Sequence, residues 1–98
     1  MTKQDVINRV STRTKLDPAI SRAVIESFFE VVQDSLSEGE PIYIRQFGSF
    51  NIKHRAGKVA RDIARNTMIL VAPHVIPTFK PSPEFVRQVR EQKEAIAQ

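Results

Sequence analysis

The sequence is poor in several kinds of residue, and each shortage excludes a class of protein. Its 98 residues contain no cysteine and no tryptophan. Without cysteine the chain forms neither a disulfide nor a thiolate metal site. No apolar run approaches the roughly 20 residues of a membrane-spanning helix. The opening residues, MTKQDVINRV, alternate charged and apolar side chains, so we expect no signal peptide and predict an intracellular soluble protein.

Residue patterns that carry chemistry are equally scarce. His54 and His74 lack the spacing of metal ligands. The Ser, His and Asp residues form no recognisable catalytic set, and there is no glycine-rich phosphate loop. We therefore expect no enzymatic activity, no metal or cofactor, and no small-molecule substrate.

The charge distribution is the first positive signal. The net charge is +4, but the first 40 residues are near balance. Basic side chains concentrate further along, at Arg45, Lys53, Arg55, Lys58, Arg61 and Arg65, and Asp62 is the one acid between residues 53 and 67. A basic segment on a near-neutral body is typical of a polyanion-binding protein. A merely solvated polar ribbon is the alternative interpretation.

The length fits a single domain, residues 1–98, and residues 1–40 predict a helical hairpin. Thr2 and Asp5 form a capping box for a first helix that ends near Thr14. Asp17 and Pro18 suit the start of a second helix, which carries a broad apolar stripe. The pattern therefore predicts two helices joined by a tight turn.

The rest of the chain predicts a sheet followed by one more helix. Residues 41–81 alternate with a period of two on both sides of the basic stretch, which predicts two strands that extend into a protruding β-ribbon arm at about residues 53–75. Pro73 and Pro77 restrict the second strand to an edge or a bulge. Ser82 and Pro83 then begin a C-terminal helix over residues 82–98. The fold class is α+β.

Five phenylalanines are more aromatic surface than so small a body can bury alone. They are Phe28, Phe29, Phe47, Phe50 and Phe79. For Phe47, Phe50 and Phe79, the apolar side of alternating segments favours a core role over stacking on single-stranded bases. We therefore predict an intertwined homodimer in which both chains share these rings.

The segments IRQFGSFNIKHR and IPTFKPS give the chain a recognisable identity. It resembles the bacterial histone-like HU and integration host factor (IHF) family over nearly its whole length. The family pattern Gly-Phe-Gly-x-Phe appears as Gln46–Phe50, and Pro-x-Phe-Lys-Pro appears as Pro77–Pro81. The resemblance implies a helical base, a three-stranded antiparallel sheet whose arm wraps into the DNA minor groove, and an obligate dimer.

The resemblance also implies how individual residues act. At the arm tip the family pattern is Arg-Asn-Pro-x-Thr-Gly, and here the positions run from Arg61 to Asn66. Ile63 stands where the family has its wedge proline, and isoleucine is an accepted wedge between base pairs. Asp62 puts a negative charge beside the wedge, which we expect to reduce affinity for DNA. Pro83 replaces a common lysine, which removes one expected phosphate contact.

Together with the basic stretch, the resemblance therefore implies a cytoplasmic, nucleoid-associated bacterial protein that bends and compacts double-stranded DNA with little sequence preference. The predicted DNA-binding residues are Arg45, Lys53, Arg55, Lys58, Arg61, Arg65, Asn66, Lys80 and Lys3, with Ile63 as the wedge. Lys3 has an alternative as the partner of Glu26. An IHF-like protein that prefers particular sites, a heterodimer with a paralogue, RNA binding and a basic protein-interaction module remain open.

Overall fold

The computed structural model describes residues 1–97, and its side chains as far as residue 93. Gln98, the last residue of the predicted C-terminal segment, lies outside the described residues. The chain forms two compact units, one spanning Met1–Ser35 and the other beginning at Leu36. In order, the elements are α1 (Lys3–Thr14), α2 (Pro18–Ser37), β1 (Ile42–Ile44), β2 (Gly48–Arg55), β3 (Lys58–Asp62), β4 (Thr67–Val71), β5 (His74–Pro81) and α3 (Pro83–Ala97).

The first unit contains α1 and all but the last two residues of α2, which together form the predicted helical hairpin, and its caps are those expected from the sequence. The Thr2 hydroxyl accepts from the amide of Asp5, whose carboxylate accepts from the amide of Thr2. Lys15 ends α1 in the left-handed region, with φ of 60°. The Asp17 carboxylate accepts from the amide of Ala19 and so caps α2. Because these bonds satisfy amides that have no partner within a helix, they fix where both helices begin.

The second unit contains two antiparallel sheets. The first sheet has three strands in the order β1-β2-β5, and the second has β3 and β4 alone. As predicted from its prolines, β5 is an edge strand, since within residues 1–97 it pairs with β2 alone. The predicted α+β fold, with a helical hairpin, a sheet extended by a ribbon and a C-terminal helix, is confirmed.

The two sheets are successive parts of one ribbon. Arg55 pairs with His74 at the end of one sheet, and Lys58 pairs with Val71 at the start of the next. Both pairs follow the same register. Residues 56–57 therefore lie opposite residues 72–73 without ladder pairing, and the register does not shift across this gap. Pro73 lies in this gap and has no N–H to donate to a ladder. A Cβ on Gly57 would lie 3.0 Å from both the Pro73 ring and the Val71 carbonyl oxygen, so the glycine permits the close approach of the strands there.

The C-terminal helix is tied to the three-stranded sheet at its first residues. The Ser82 hydroxyl accepts from the amide of Phe85, as expected of an N-cap. The Ser82 amide donates to the carbonyl oxygen of Phe47, in the turn between β1 and β2. The cap therefore joins α3 to this turn and places Phe85 beside the sheet's aromatic side chains.

Candidate nucleic-acid interface

One face of the three-stranded sheet carries three of the predicted DNA-binding side chains. Residues directly opposite in an antiparallel pair share a face, and alternate residues return to it. Ser49 pairs with Lys80, Lys53 with Ile76, and Arg55 with His74. Lys53, Arg55 and Lys80 therefore lie on the same face, and all three are exposed. Phe50 and Phe79 pair on the opposite face, so the sheet has a basic side and an aromatic side.

The ribbon of β3 and β4 divides its basic residues between its two faces. Val59 pairs with Leu70 and Arg61 with Met68, and these four residues form what we call the Leu70 face. The alternate pairs form what we call the Ile69 face, made of Lys58, Val71, Ala60, Ile69, Asp62 and Thr67. Each face therefore presents one cation to a polyanion, Arg61 on the first and Lys58 on the second.

The Leu70 face is also the more exposed apolar surface. Leu70 is 82% exposed and Met68 is 68% exposed, whereas Ile69 on the opposite face is 46% exposed. β4 carries no charged residue along its length. The cations of the ribbon were predicted from the sequence but this apolar strip was not, although the segment TMILV contains it.

The tip of the ribbon is a four-residue turn, residues 63–66, between the last pair Asp62 and Thr67. Ile63, the predicted wedge, is 87% exposed. Asn66 adopts the left-handed region with φ of 51°, as its side chain allows. Its amide oxygen accepts from the Arg61 guanidinium at 2.6 Å. Arg65 lies 3.9 Å from the Asp62 carboxylate, and that guanidinium side chain remains 83% exposed.

Arg45 and Gln46 lie in the turn that joins β1 to β2, and both are exposed. Gln46 has φ of 65°, a left-handed conformation that favours glycine. The family pattern has glycine at this position, and the geometry shows the reason for it. Arg45 precedes this strained residue, so the turn determines where its guanidinium is presented.

Lys3 is placed differently from the other predicted DNA-binding residues. Its ammonium lies 3.0 Å from the Glu26 carboxylate, which also accepts from Arg22 at 3.5 Å. The hydrogen bond from Lys3 and its positive charge lower the pKa of Glu26. Lys3 stays half exposed, with a side-chain exposure of 51%. The Lys3–Glu26 ion pair, which was the alternative predicted for Lys3 from the sequence, is therefore present in the chain without DNA.

The aromatic side of the sheet forms a cluster with α3. The Phe79 ring centroid lies 5.0 Å from that of Phe50 and 5.3 Å from that of Phe47. Phe85 completes the cluster at 5.2 Å from Phe47. Phe85 was not among the core phenylalanines predicted from the sequence. Helical periodicity shows which side of a helix is apolar, but it does not show which aromatic side chains of a sheet that side will contact.

The apolar side chains of a single chain are poorly covered. Of the side chains that the structure describes, only Ile7 and Ser21 are buried. Phe28 is 44% exposed in the first unit, where its ring lies 6.0 Å from Phe29. Phe47 and Phe79 are 40% and 39% exposed in the second. Aromatic rings exposed to this extent are typical of a surface that binds another protein.

Among residues 1–93, whose side chains the structure describes, no group of three or more His, Asp or Glu side chains is placed to hold a metal ion. His74 instead has its Nδ1 at 3.0 Å from the carbonyl oxygen of Ala72. None of the helices in the described part of the chain has both the length and the apolarity needed to cross a membrane.

Comparison with known sequences gives a family and several relatives. The family model described as "Bacterial DNA-binding protein" matches residues 1–90. The integration host factor subunit beta of Shewanella pealeana is 34% identical over 97 residues, which cover 98% of each chain. The DNA-binding protein HU of Streptococcus pyogenes is 32% identical over 78 residues, covering 80% of this chain and 86% of that protein.

Solved structures share the same fold. The HU protein of Anabaena, cocrystallised with DNA, matches with a TM-score of 0.86 at 21% identity, covering 91% of this chain and 97% of that one. HU from Thermotoga maritima matches with a TM-score of 0.64 at 21% identity, covering 91% of this chain and 98% of that one.

Proposed function

This chain belongs to the family of bacterial DNA-binding proteins that includes HU and the integration host factor, and from that premise we propose that it binds and bends double-stranded DNA. It acts without chemistry, as an architectural protein of the bacterial nucleoid in the cytoplasm. The observation that carries the proposal is the ribbon itself, which combines exposed cations along its length with an exposed isoleucine at its tip.

Binding energy in this proposal comes mainly from phosphate neutralisation. Lys53, Arg55 and Lys80 form one basic sheet face, and Lys58 and Arg61 continue the positive charge along the ribbon. Each neutralised phosphate releases condensed counterions, which makes the slope of log K against log salt more negative by about 0.9. Arg45, Arg65 and Asn66 add contacts from the two turns. Lys3 contributes only when the DNA phosphate competes with Glu26 for its ammonium.

Bending is assigned to Ile63. At 87% exposure the side chain can enter a base step without first leaving a packed environment. Minor-groove architectural proteins use apolar wedges of this type to unstack a step and kink the duplex. The exposed apolar strip of the Leu70 face can then rest on the sugars that line the groove, beside the phosphates bound by the cations.

The functional unit in this proposal is a homodimer. Partly exposed rings in both units, Phe28 and Phe29 in one and Phe47, Phe50 and Phe79 in the other, are covered by the second copy. Beside Phe47 and Phe85, an open apolar hollow of about 690 Å³ adds to this surface. Sedimentation equilibrium tests the dimer, since a species of twice the 11.2 kDa chain mass should persist at low micromolar concentration.

An IHF-like function is the second candidate, because relatives named integration host factor subunit beta match 98% of the chain. That candidate predicts a marked preference for particular sequences over random DNA. It also allows a heterodimer with a paralogue, since those relatives are named as subunits. Competition between a selected binding site and random duplex of equal length separates the two candidates.

The direct test of the main proposal is a set of binding titrations across a salt series. The labelled probes are an intact duplex, the same duplex with a nick, and an RNA duplex of matching sequence. Ile63→Ala is compared with the wild type, and Tyr43→Ala serves as the control, since Tyr43 is 76% exposed in β1, outside the ribbon. We expect steep salt dependence, tighter binding to nicked DNA, and weaker binding to RNA, whose minor groove is wide and shallow.

The variant separates bending from electrostatic attachment. Ile63→Ala should weaken binding to the intact duplex while leaving the salt slope unchanged, because no charge is removed. Equal binding to all three probes, with no effect of Ile63→Ala, would leave only an electrostatic clamp and exclude the wedge. Weak binding to every nucleic acid, together with capture of acidic proteins, would favour a protein-interaction module.

A further inference from the structure

The Asp62 carboxylate organises the tip of the ribbon. Its Oδ1 accepts from the backbone N–H of Ala64 at 3.1 Å and from that of Arg65 at 3.3 Å. Side chains of Asp and Asn favour turns because they can bond to backbone amides two or three residues ahead. One oxygen atom therefore fixes the path of the chain immediately after Ile63.

The rest of the tip strengthens this arrangement from the other side. The Arg61 guanidinium donates to the Asn66 side chain, which spans the base of the same turn. The Arg65 guanidinium lies 3.9 Å from the second carboxylate oxygen of Asp62. Asp62 itself is sheltered, with a side-chain exposure of 24%. The acid is thus partly neutralised and partly screened, while Ile63 next to it is left exposed.

We propose that Asp62 is a positioning residue, whose carboxylate holds the amides of Ala64 and Arg65 so that the turn presents Ile63 to a base step. This inference rests on the proposed DNA-bending function. A proline would restrict the tip through its own ring, whereas isoleucine imposes no such restriction on the turn. Here the restriction comes from the neighbouring carboxylate. The negative charge of Asp62, expected from the sequence to reduce affinity for DNA, thus comes with a more ordered turn around Ile63.

Two substitutions separate the acceptor from the charge. Asp62→Asn keeps an oxygen that can accept the two amides and removes the negative charge. Asp62→Ala removes both. Asn also bonds readily to amides ahead of it in a turn, so Asp62→Asn is the matched control for the loss of charge.

The first readout is the free protein in solution. The amide protons of Ala64 and Arg65 should show the small temperature coefficients of hydrogen-bonded groups in the wild type and in Asp62→Asn. In Asp62→Ala the magnitude of both coefficients should increase to values typical of solvent-exposed amides. This measurement needs no DNA, so it tests the turn whatever the protein binds.

The second readout is base unstacking in the complex, followed by 2-aminopurine fluorescence at the kinked step under saturating protein. Asp62→Asn should keep the wild-type fluorescence increase and bind the intact duplex at least as tightly as the wild type. Asp62→Ala should lose most of the increase, approach Ile63→Ala, and bind the intact duplex about tenfold more weakly. Shared between the two arms of the dimer, a tenfold loss corresponds to about half of one charged hydrogen bond in each arm.

Three results would overturn the inference. The first is a full fluorescence increase in Asp62→Ala, and the second is an unchanged pair of amide coefficients in that variant. The third is a loss in Asp62→Asn as large as that in Asp62→Ala, because the charge and not the acceptor would then be responsible. In each case the wild type still unstacks DNA and the proposed function stands. Absence of binding and unstacking in the wild type would instead defeat the proposed function.

Discussion

Leu70→Ala should weaken DNA binding at every salt concentration without changing the salt slope. The substitution removes three carbons, and burying each contributes about 0.8 kcal/mol. Leu70 is 82% exposed, so nearly all of this surface is available to a partner. If the groove covers about half of it, each arm loses about 1 kcal/mol. Two arms then lose about 2 kcal/mol, or roughly thirtyfold in affinity.

The chain offers a closely matched control for this measurement. Ile69→Ala also removes three carbons, from the adjacent residue on the opposite face of the ribbon. Ile69 is already about half covered in the free chain, at 46% exposure. If the Leu70 face rests on the DNA, Ile69→Ala should change affinity by less than about threefold. Arg61→Gln provides the opposite control, since it removes a cation from the Leu70 face and should make the slope less steep by about 0.9 for each arm.

The assay is fluorescence anisotropy with a labelled duplex, titrated at five or more salt concentrations. Plotted as log K against log salt, Leu70→Ala should give a line parallel to the wild type and displaced downwards, because apolar contacts release no counterions. A line that coincides with the wild type would show that this face is not buried. An equal displacement for Ile69→Ala would show that the loss comes from ribbon stability and would refute the assignment of a face.

Gly48→Ala should destabilise the fold by about 3 kcal/mol or more, because the new Cβ would lie 2.5 Å from the Lys80 carbonyl oxygen and the residue has φ of 155°. A loss of stability below about 1 kcal/mol in urea denaturation would contradict this close approach of β2 and β5. Gln46→Gly should stabilise the protein by up to about 1 kcal/mol, since relief of the left-handed strain exceeds the entropy cost of glycine; a lower urea midpoint than that of the wild type would count against it. Hydrogen bonding and the charge of Lys3 lower the pKa of Glu26, so this carboxylate stabilises the folded state above its ordinary pKa near 4.5 and progressively less as the pH falls through its folded value. Glu26→Gln should therefore flatten the decline in stability below about pH 4.5, measured by thermal unfolding between pH 3 and 6, and an unchanged decline would assign it to other acids.

Local features of the fold were predictable because their causes lie within a few residues. Asp17 and Ser82 each cap a helix through an amide two or three positions ahead, so a short stretch of sequence contains both partners. The left-handed Asn66 follows from the same short-range chemistry. Alternation with a period of two likewise indicated the strands on either side of the basic stretch.

Features that depend on pairing were not predictable to the same degree. The gap in the ribbon brings Pro73 close to Gly57 from the opposite side of the ribbon. The sequence alone does not reveal the strand register that places these two residues together. Phe85 joins the aromatic cluster only because the Ser82 amide bonds to the Phe47 carbonyl oxygen and sets the start of α3. Asp62 was interpreted by its charge, since its two amide partners are visible only once the turn is formed.

The poor burial of the phenylalanines and the exposure of the ribbon follow from the same arrangement of the sequence. Almost a quarter of the chain forms the ribbon region from residue 53 to 75, whose side chains contribute little to a shared core. The remaining residues then expose rings such as Phe28 and Phe47 that a larger monomer would cover. In the homodimer that we propose, a second copy covers those rings and also supplies a second ribbon. Its two Ile63 side chains would then meet the duplex at two points, so the proposed dimerisation would complete both the core and the DNA-bending device.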